Sequence, residues 1–164
     1  MAKTSYAIAL GSNRRSRHGS PAATLRAALI ALKPVRVSAL LATPALGPAG
    51  RGFANAVAIV ESALEPDEML GRLKALEREF GRRGGRRWGP RVLDLDIILW
   101  SGGAWAGPGP VVPHRSFRER LFVLAPLAEI ASGWRDPLSG ATVRQLLARL
   151  TAPRPGHRSE PEGP

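Results

Sequence analysis

Between Val92 and Trp100 an apolar run, VLDLDIILW, is interrupted by two aspartates two positions apart. Its length and branched aliphatic content predict a buried strand. Side chains alternate along a strand, so Asp94 and Asp96 share one face while Leu93, Leu95 and Ile97 share the other. The fold must therefore bury one face of this segment and find on the other a neutralising partner for two like charges. Their Cα atoms would lie about 7 Å apart. At that distance, and with an effective dielectric of about 20, two carboxylates repel by about 2 kcal/mol.

Two partners could offset that cost. Each aspartate could pair with an arginine, or a divalent cation could sit between or above them. Magnesium suits the second option, since it takes one or two carboxylates and fills its other positions with water and substrate phosphates. The preceding stretch, GRRGGRRWGPR, bears on the choice. It carries Arg82, Arg83, Arg86, Arg87 and Arg91 within ten positions, interleaved with Gly81, Gly84, Gly85 and Gly89. Guanidinium forks match phosphate oxygens two bonds at a time. The glycines would let the loop move as a lid. An acid pair beside an arginine lid is a phosphoryl-transfer layout. No G-x-x-x-x-G-K-[ST] stretch is present, so a P-loop enzyme is not expected.

The rest of the chain supplies a frame. SYAIAL (Ser5–Leu10) reads as a strand, and GSNRRSRHGS as a loop. Ser20 and Pro21 then cap a helix that places Leu25, Leu29 and Leu32 at helical spacing before Pro34. VRVSALLAT (Val35–Thr43) and FANAVAIVES (Phe53–Ser62) read as strands around the loop PALGPAGRG. Pro66, Asp67 and Glu68 open a second helix with the stripe Met69, Leu73, Leu76 and Phe80. With the aspartate strand the order is β-α-β-β-α-β, which predicts an α+β, ferredoxin-like sandwich: an antiparallel sheet with both helices on one face. After it, SGGAWAGPGPVVPH reads as an irregular hairpin or loop. FRERLFVLAPLAEIA and ATVRQLLARL (Ala141–Leu150) add C-terminal helices. Residues 1–150 are expected to form a single domain, and TAPRPGHRSEPEGP (151–164) a disordered tail.

Composition narrows the partners. The net charge of +11 favours anionic ones, although arginine-rich codon usage would raise it too. There is no cysteine, so disulfides, thiolate zinc sites and thiol catalysis are excluded. No apolar run is long enough for a membrane span, and MAKTSYAIAL shows no signal-peptide pattern, so the cytoplasm is expected. A basic ferredoxin-like nucleic-acid-binding module without catalysis is the alternative. It fares poorly, because aromatic residues make up 5% of the chain and no base-stacking RNP strand is present.

Other positions stay ambiguous from spacing alone. His114, in VVPHRSFRER, is either structural or a phosphate contact, with Arg115, Arg118 and Arg120 close behind. Phe53 and Phe122 are either core residues or two plates for a flat heterocycle. Asn55 shares a strand face with Phe53 and could recognise a ring edge through its amide.

Taken together, RWGPRVLDLDIIL (Arg87–Leu99) resembles the signature of the 6-hydroxymethyl-7,8-dihydropterin pyrophosphokinase family. AIALGSN (Ala7–Asn13), TPALGP (Thr43–Pro48), FANAV (Phe53–Val57), LEREFGR (Leu76–Arg82) and VPH…RERLFVLAPLAEIA (Val112–Ala131) agree with it and follow in the family's order. The resemblance covers Tyr6 to about Leu150. It implies transfer of pyrophosphate from ATP to the hydroxymethyl group of the dihydropterin, with release of AMP. It also implies two magnesium ions on Asp94 and Asp96, with Arg82 and Arg91 as catalytic groups. The implied pterin pocket is Thr43, Pro44, Leu46, Phe53, Asn55 and Phe122. On the ATP side it implies Glu77, Arg87, Trp88, Arg91, His114 and Arg120. The expected partners are these small molecules, with neither nucleic acid nor membrane, and the chain is expected to act as a monomer.

Overall fold

The computed structural model describes residues 2–43, 52–81 and 92–153. Nine elements order this part of the chain, apart from a short 3-10 turn at Phe117–Glu119: β1 (Thr4–Ser12), α1 (Pro21–Leu32), β2 (Arg36–Val37), β3 (Leu41–Thr43), β4 (Phe53–Ser62), α2 (Pro66–Gly81), β5 (Asp94–Trp100), α3 (Leu121–Ala131) and α4 (Val143–Thr151). The sheet runs β2-β4-β1-β5, with β3 also on β4, and every pairing is antiparallel. This is the ferredoxin-like order expected from the element pattern. α1 starts as the sequence predicts, with the Ser20 hydroxyl accepting from the Ala23 N–H at 3.2 Å and Pro21 in the first turn.

Alternation along the strands divides the molecule into three layers. Tyr6, Ile8 and Leu10 of β1, Ala54, Ala56 and Ala58 of β4, and Leu95 and Ile97 of β5 face α1 and α2. There they meet Leu25, Ala28 and Leu32, and Met69, Leu73 and Phe80. The opposite face carries Ala7, Val57, Ile59, Ile98 and Leu99 and is covered by Phe117, α3 and α4. The C-terminal helices are therefore a full second layer.

Two local expectations need correction. The strand predicted over Val35–Thr43 is broken at Ser38–Leu40. Val37 pairs with Ala58 and Leu41 with Asn55, so four steps along one strand match three along the other. The Ser38 hydroxyl explains the slip. It accepts the Val57 N–H at 2.9 Å, and the next amide, Ala39 N–H, leaves the ladder for Glu129 on α3 at 2.9 Å. The extra residue shifts the pleat and carries Leu41 to the face that bears Asn55. The aspartate strand, expected from Val92, begins at Asp94 and contains a bulge of its own. Ala7 pairs with Leu99 and Ile8 with Ile97, which leaves Ile98 unpaired.

Candidate active site

A cleft of about 170 Å³ opens on the α3 side of the sheet. Its floor is β1, and the sequence YAIALG explains the recess. The large residues Tyr6, Ile8 and Leu10 go to the core, while Ala7, Ala9 and Gly11 face the other way. Gly11 stands between Asn55 on β4 and Asp94 on β5 in register, and Ala9 stands between Val57 and Asp96. A Cβ on Gly11 would lie 3.4 Å from Asn55 Oδ1. The amide side chain and the first carboxylate therefore flank a position with no side chain.

Asn55, Asp94, Asp96, Arg120 and Phe122 all line this cleft. Asp94 is exposed and Asp96 half-buried, so both can reach a ligand, while Leu95 between them is fully buried on the other face. Phe53 and Phe122 are 44% and 48% exposed, which removes both from the core. Alternation puts Phe53 on the face of Asn55. Phe122 lines the cleft directly and carries the Arg120 guanidinium 5.9 Å above its ring.

His114 is placed by its backbone. Its N–H donates to the Ile98 carbonyl at 3.0 Å, at the β5 bulge, after a cis Val112–Pro113 peptide. The Ser116 N–H donates to His114 Nδ1 at 3.2 Å, so Nε2 carries the proton of the neutral ring. Burial holds the imidazole pKa below its ordinary value; Asp96 pulls it up and Arg120 pushes it down. His114, Asp96 and Arg120 thus share one electrostatic neighbourhood.

Glu77 sits apart from these groups. Its side chain is 11% exposed, Oε1 accepts the Leu95 N–H at 2.8 Å, and Lys74 Nζ lies 3.1 Å from Oε2. It ties α2 to β5. Thr43 pairs with Phe53 at the end of β3. Pro44, Leu46, Arg82, Arg83, Arg86, Arg87, Trp88 and Arg91 lie outside the described residues. Arg118, one of the cations behind His114, grips Asp136 instead, Nε to Oδ2 at 2.6 Å and Nη2 to Oδ1 at 2.8 Å. Arg115 is exposed.

Sequence reading did not single out Ala9, Gly11, Leu10, Ala56, Ile98 and Val123, which complete the lining. The large-small alternation in YAIALG was the available signal for the first two. Among the described residues, no cluster of three or more His, Cys, Asp or Glu side chains could hold a metal, and no helix is long and apolar enough to cross a membrane.

The sequence profile of the 7,8-dihydro-6-hydroxymethylpterin-pyrophosphokinase (HPPK) family matches residues 7–132, a span that includes every lining residue of the cleft. The chain belongs to that family. A Pseudomonas aeruginosa protein named 2-amino-4-hydroxy-6-hydroxymethyldihydropteridine pyrophosphokinase is 40% identical over 148 residues, which is 86% of this chain and 88% of the relative. A Methylorubrum extorquens protein of the same name is 38% identical over 146 residues, covering 87% and 91%. The match to the Synechocystis protein of that name, 39% over 115 residues, spans 59% of its length. Among solved structures, Plasmodium falciparum HPPK-DHPS superposes with a TM-score of 0.69 at 12% identity, covering 90% of this chain and 42% of that one. At that identity the likeness concerns the fold.

Proposed function

We propose that this chain transfers pyrophosphate from ATP to the hydroxyl of 6-hydroxymethyl-7,8-dihydropterin, a step of folate biosynthesis. The observation that carries the reading is one cleft whose lining combines Asp94, Asp96 and Arg120 with Asn55 and Phe122. The carboxylates and the guanidinium suit the polyphosphate, and the amide and the aromatic ring suit a flat, hydrogen-bonding heterocycle.

The substrate oxygen attacks the β-phosphorus in line. The new O–P bond forms as the bond from the β-phosphorus to the oxygen bridging to the α-phosphate breaks, the attacking hydroxyl gives up its proton to solvent, and AMP leaves with the bridging oxygen. Phe53 and Phe122 hold the pterin ring between them. Asn55 reads its edge from the floor beside Gly11, with Thr43, Pro44 and Leu46 completing the pocket. Arg82 and Arg91 take up charge on the transferring group. Arg87, Trp88, His114 and Arg120 hold the nucleotide, with His114 as a neutral ring donating from Nε2.

The donor set fits magnesium: two hard carboxylates on one strand face, both open to the cleft, leave the remaining positions to water and phosphate oxygens. Asp94 and Asp96 would hold two such ions. When bound, magnesium supplies charge neutralisation and lowers the pKa of a coordinated hydroxyl. We further infer a monomeric cytoplasmic enzyme with small-molecule partners only.

The test is to mix protein, ATP, magnesium and the hydroxymethyl dihydropterin and to follow the nucleotide product. AMP appearing in step with pterin pyrophosphate is expected; ADP, or no turnover in ample magnesium, refutes the reading. Asp96→Ala is expected to abolish turnover while leaving the melting temperature near that of the parent. Parent-like activity in that variant would remove the metal assignment.

A further inference from the structure

Among the described residues β5 is the outermost strand of the sheet, with no described strand along its other edge. Backbone groups on a strand alternate in direction. Asp96 and Asp94 stand opposite Ala9 and Gly11, and Leu95 between them turns its N–H to the open edge. An amide on an open edge ordinarily bonds to water. Here Glu77, from the helix on the far side of the strand, reaches it at 2.8 Å with a carboxylate largely withdrawn from solvent. Such a charge-assisted bond is stronger than a neutral one. The second carboxylate oxygen is held by Lys74. Two positions past Asp96 the same edge is held again, by His114 N–H on the Ile98 carbonyl. The strand is thus held on both sides of Asp96 by hydrogen bonds to its backbone.

We propose that Glu77 is a positioning residue for the Asp94–Asp96 pair, acting through the Leu95 amide. By holding the Leu95 N–H it keeps this stretch of β5 in the regular pleat that puts Asp94 and Asp96 on one face. The inference rests on the reading of the pair as the magnesium-holding group. It gives Glu77 a role distinct from contact with the nucleotide.

Three measurements test it on the whole protein: exchange of the Leu95 amide by NMR, binding of Mn2+ with a non-hydrolysable ATP analogue by electron paramagnetic resonance, and steady-state kinetics. Glu77→Ala is expected to speed exchange at Leu95 at least about tenfold. It should weaken Mn2+ binding by about tenfold, with a matching fall in kcat. Glu77→Gln keeps an oxygen acceptor for the amide and should recover most of both losses. If Glu77→Ala does not fold, Glu77→Asp, one methylene too short to reach Leu95, takes its place with the same expectations. A rise in KM for ATP alone, with Leu95 protection and Mn2+ affinity at parent values, would overturn the proposal and make Glu77 a nucleotide contact. Failure of the parent protein to form AMP would refute the pyrophosphokinase reading instead. Amide exchange and Mn2+ affinity are both measurable without turnover, so the two failures are told apart.

Discussion

Asp136 is fully buried and carries four bonds to its carboxylate: two from Arg118, one from the Leu138 N–H at 3.0 Å and one from the Ser139 hydroxyl at 2.8 Å. The Arg118 guanidinium holds its pKa well below the ordinary 3.8. The unfolded chain therefore binds this proton first as pH falls. The stabilisation is complete above about pH 4 and is lost progressively below it. A urea titration series from neutral pH down to about pH 3 should show this loss, and Asp136→Asn should flatten it. Arg118→Met strands a buried charge and is expected to cost about 3–5 kcal/mol near neutral pH, read from the same titrations. Arg118 was not legible as a structural residue. It sits among Arg115 and Arg120 in an arginine-rich run, and its partner is brought back by a turn 18 residues later. Asp94 and Asp96 were legible because strict alternation fixes their common face whatever surrounds them.

The β2–β3 bulge shows what a strand's own residues do not reveal. VRVSALLAT alternates acceptably along its whole length, yet the decisive event is Ser38 taking a hydrogen bond from β4 that a backbone carbonyl would otherwise accept. That depends on Val57, Ala39 and Glu129, and no local pattern records it. Ser38 is 3% exposed, so Ser38→Ala leaves the Val57 N–H buried without this acceptor. Chemical denaturation should register a loss of about 1–3 kcal/mol. Because the bulge also sets which face Leu41 presents beside Asn55, KM for the pterin should rise in the same variant, while KM for ATP stays near the parent value. A parent-like KM for the pterin would separate the bulge from the pocket. The helices behaved differently: α1 and α2 begin where their caps and acidic first turns predicted, since those signals are local.

At the scale of the molecule, a βαββαβ frame is covered on its second face by α3 and α4, and the cleft lies where that cover meets the small-residue side of β1. The frame was readable from element order. The cleft was legible only in part: the large-small alternation of YAIALG marks its floor, whereas its α3 wall is set by tertiary packing that no local pattern records. The net charge of +11 acts over this whole surface. Long-range attraction of a polyanionic nucleotide is screened within a Debye length. Raising KCl from about 0.05 to 0.5 M should therefore lower kcat/KM for ATP several-fold, with kcat changed less. Equal effects on both constants would place the charge dependence in the chemical step. The bare side of β1 has a practical corollary. Methylenes added at Ala9 or Gly11 would narrow the room for substrate without altering any group assigned to phosphate. The strand is thus a lock that can be recut, in which a narrowed enzyme and a slimmed heterocycle would work as a private pair beside the natural one.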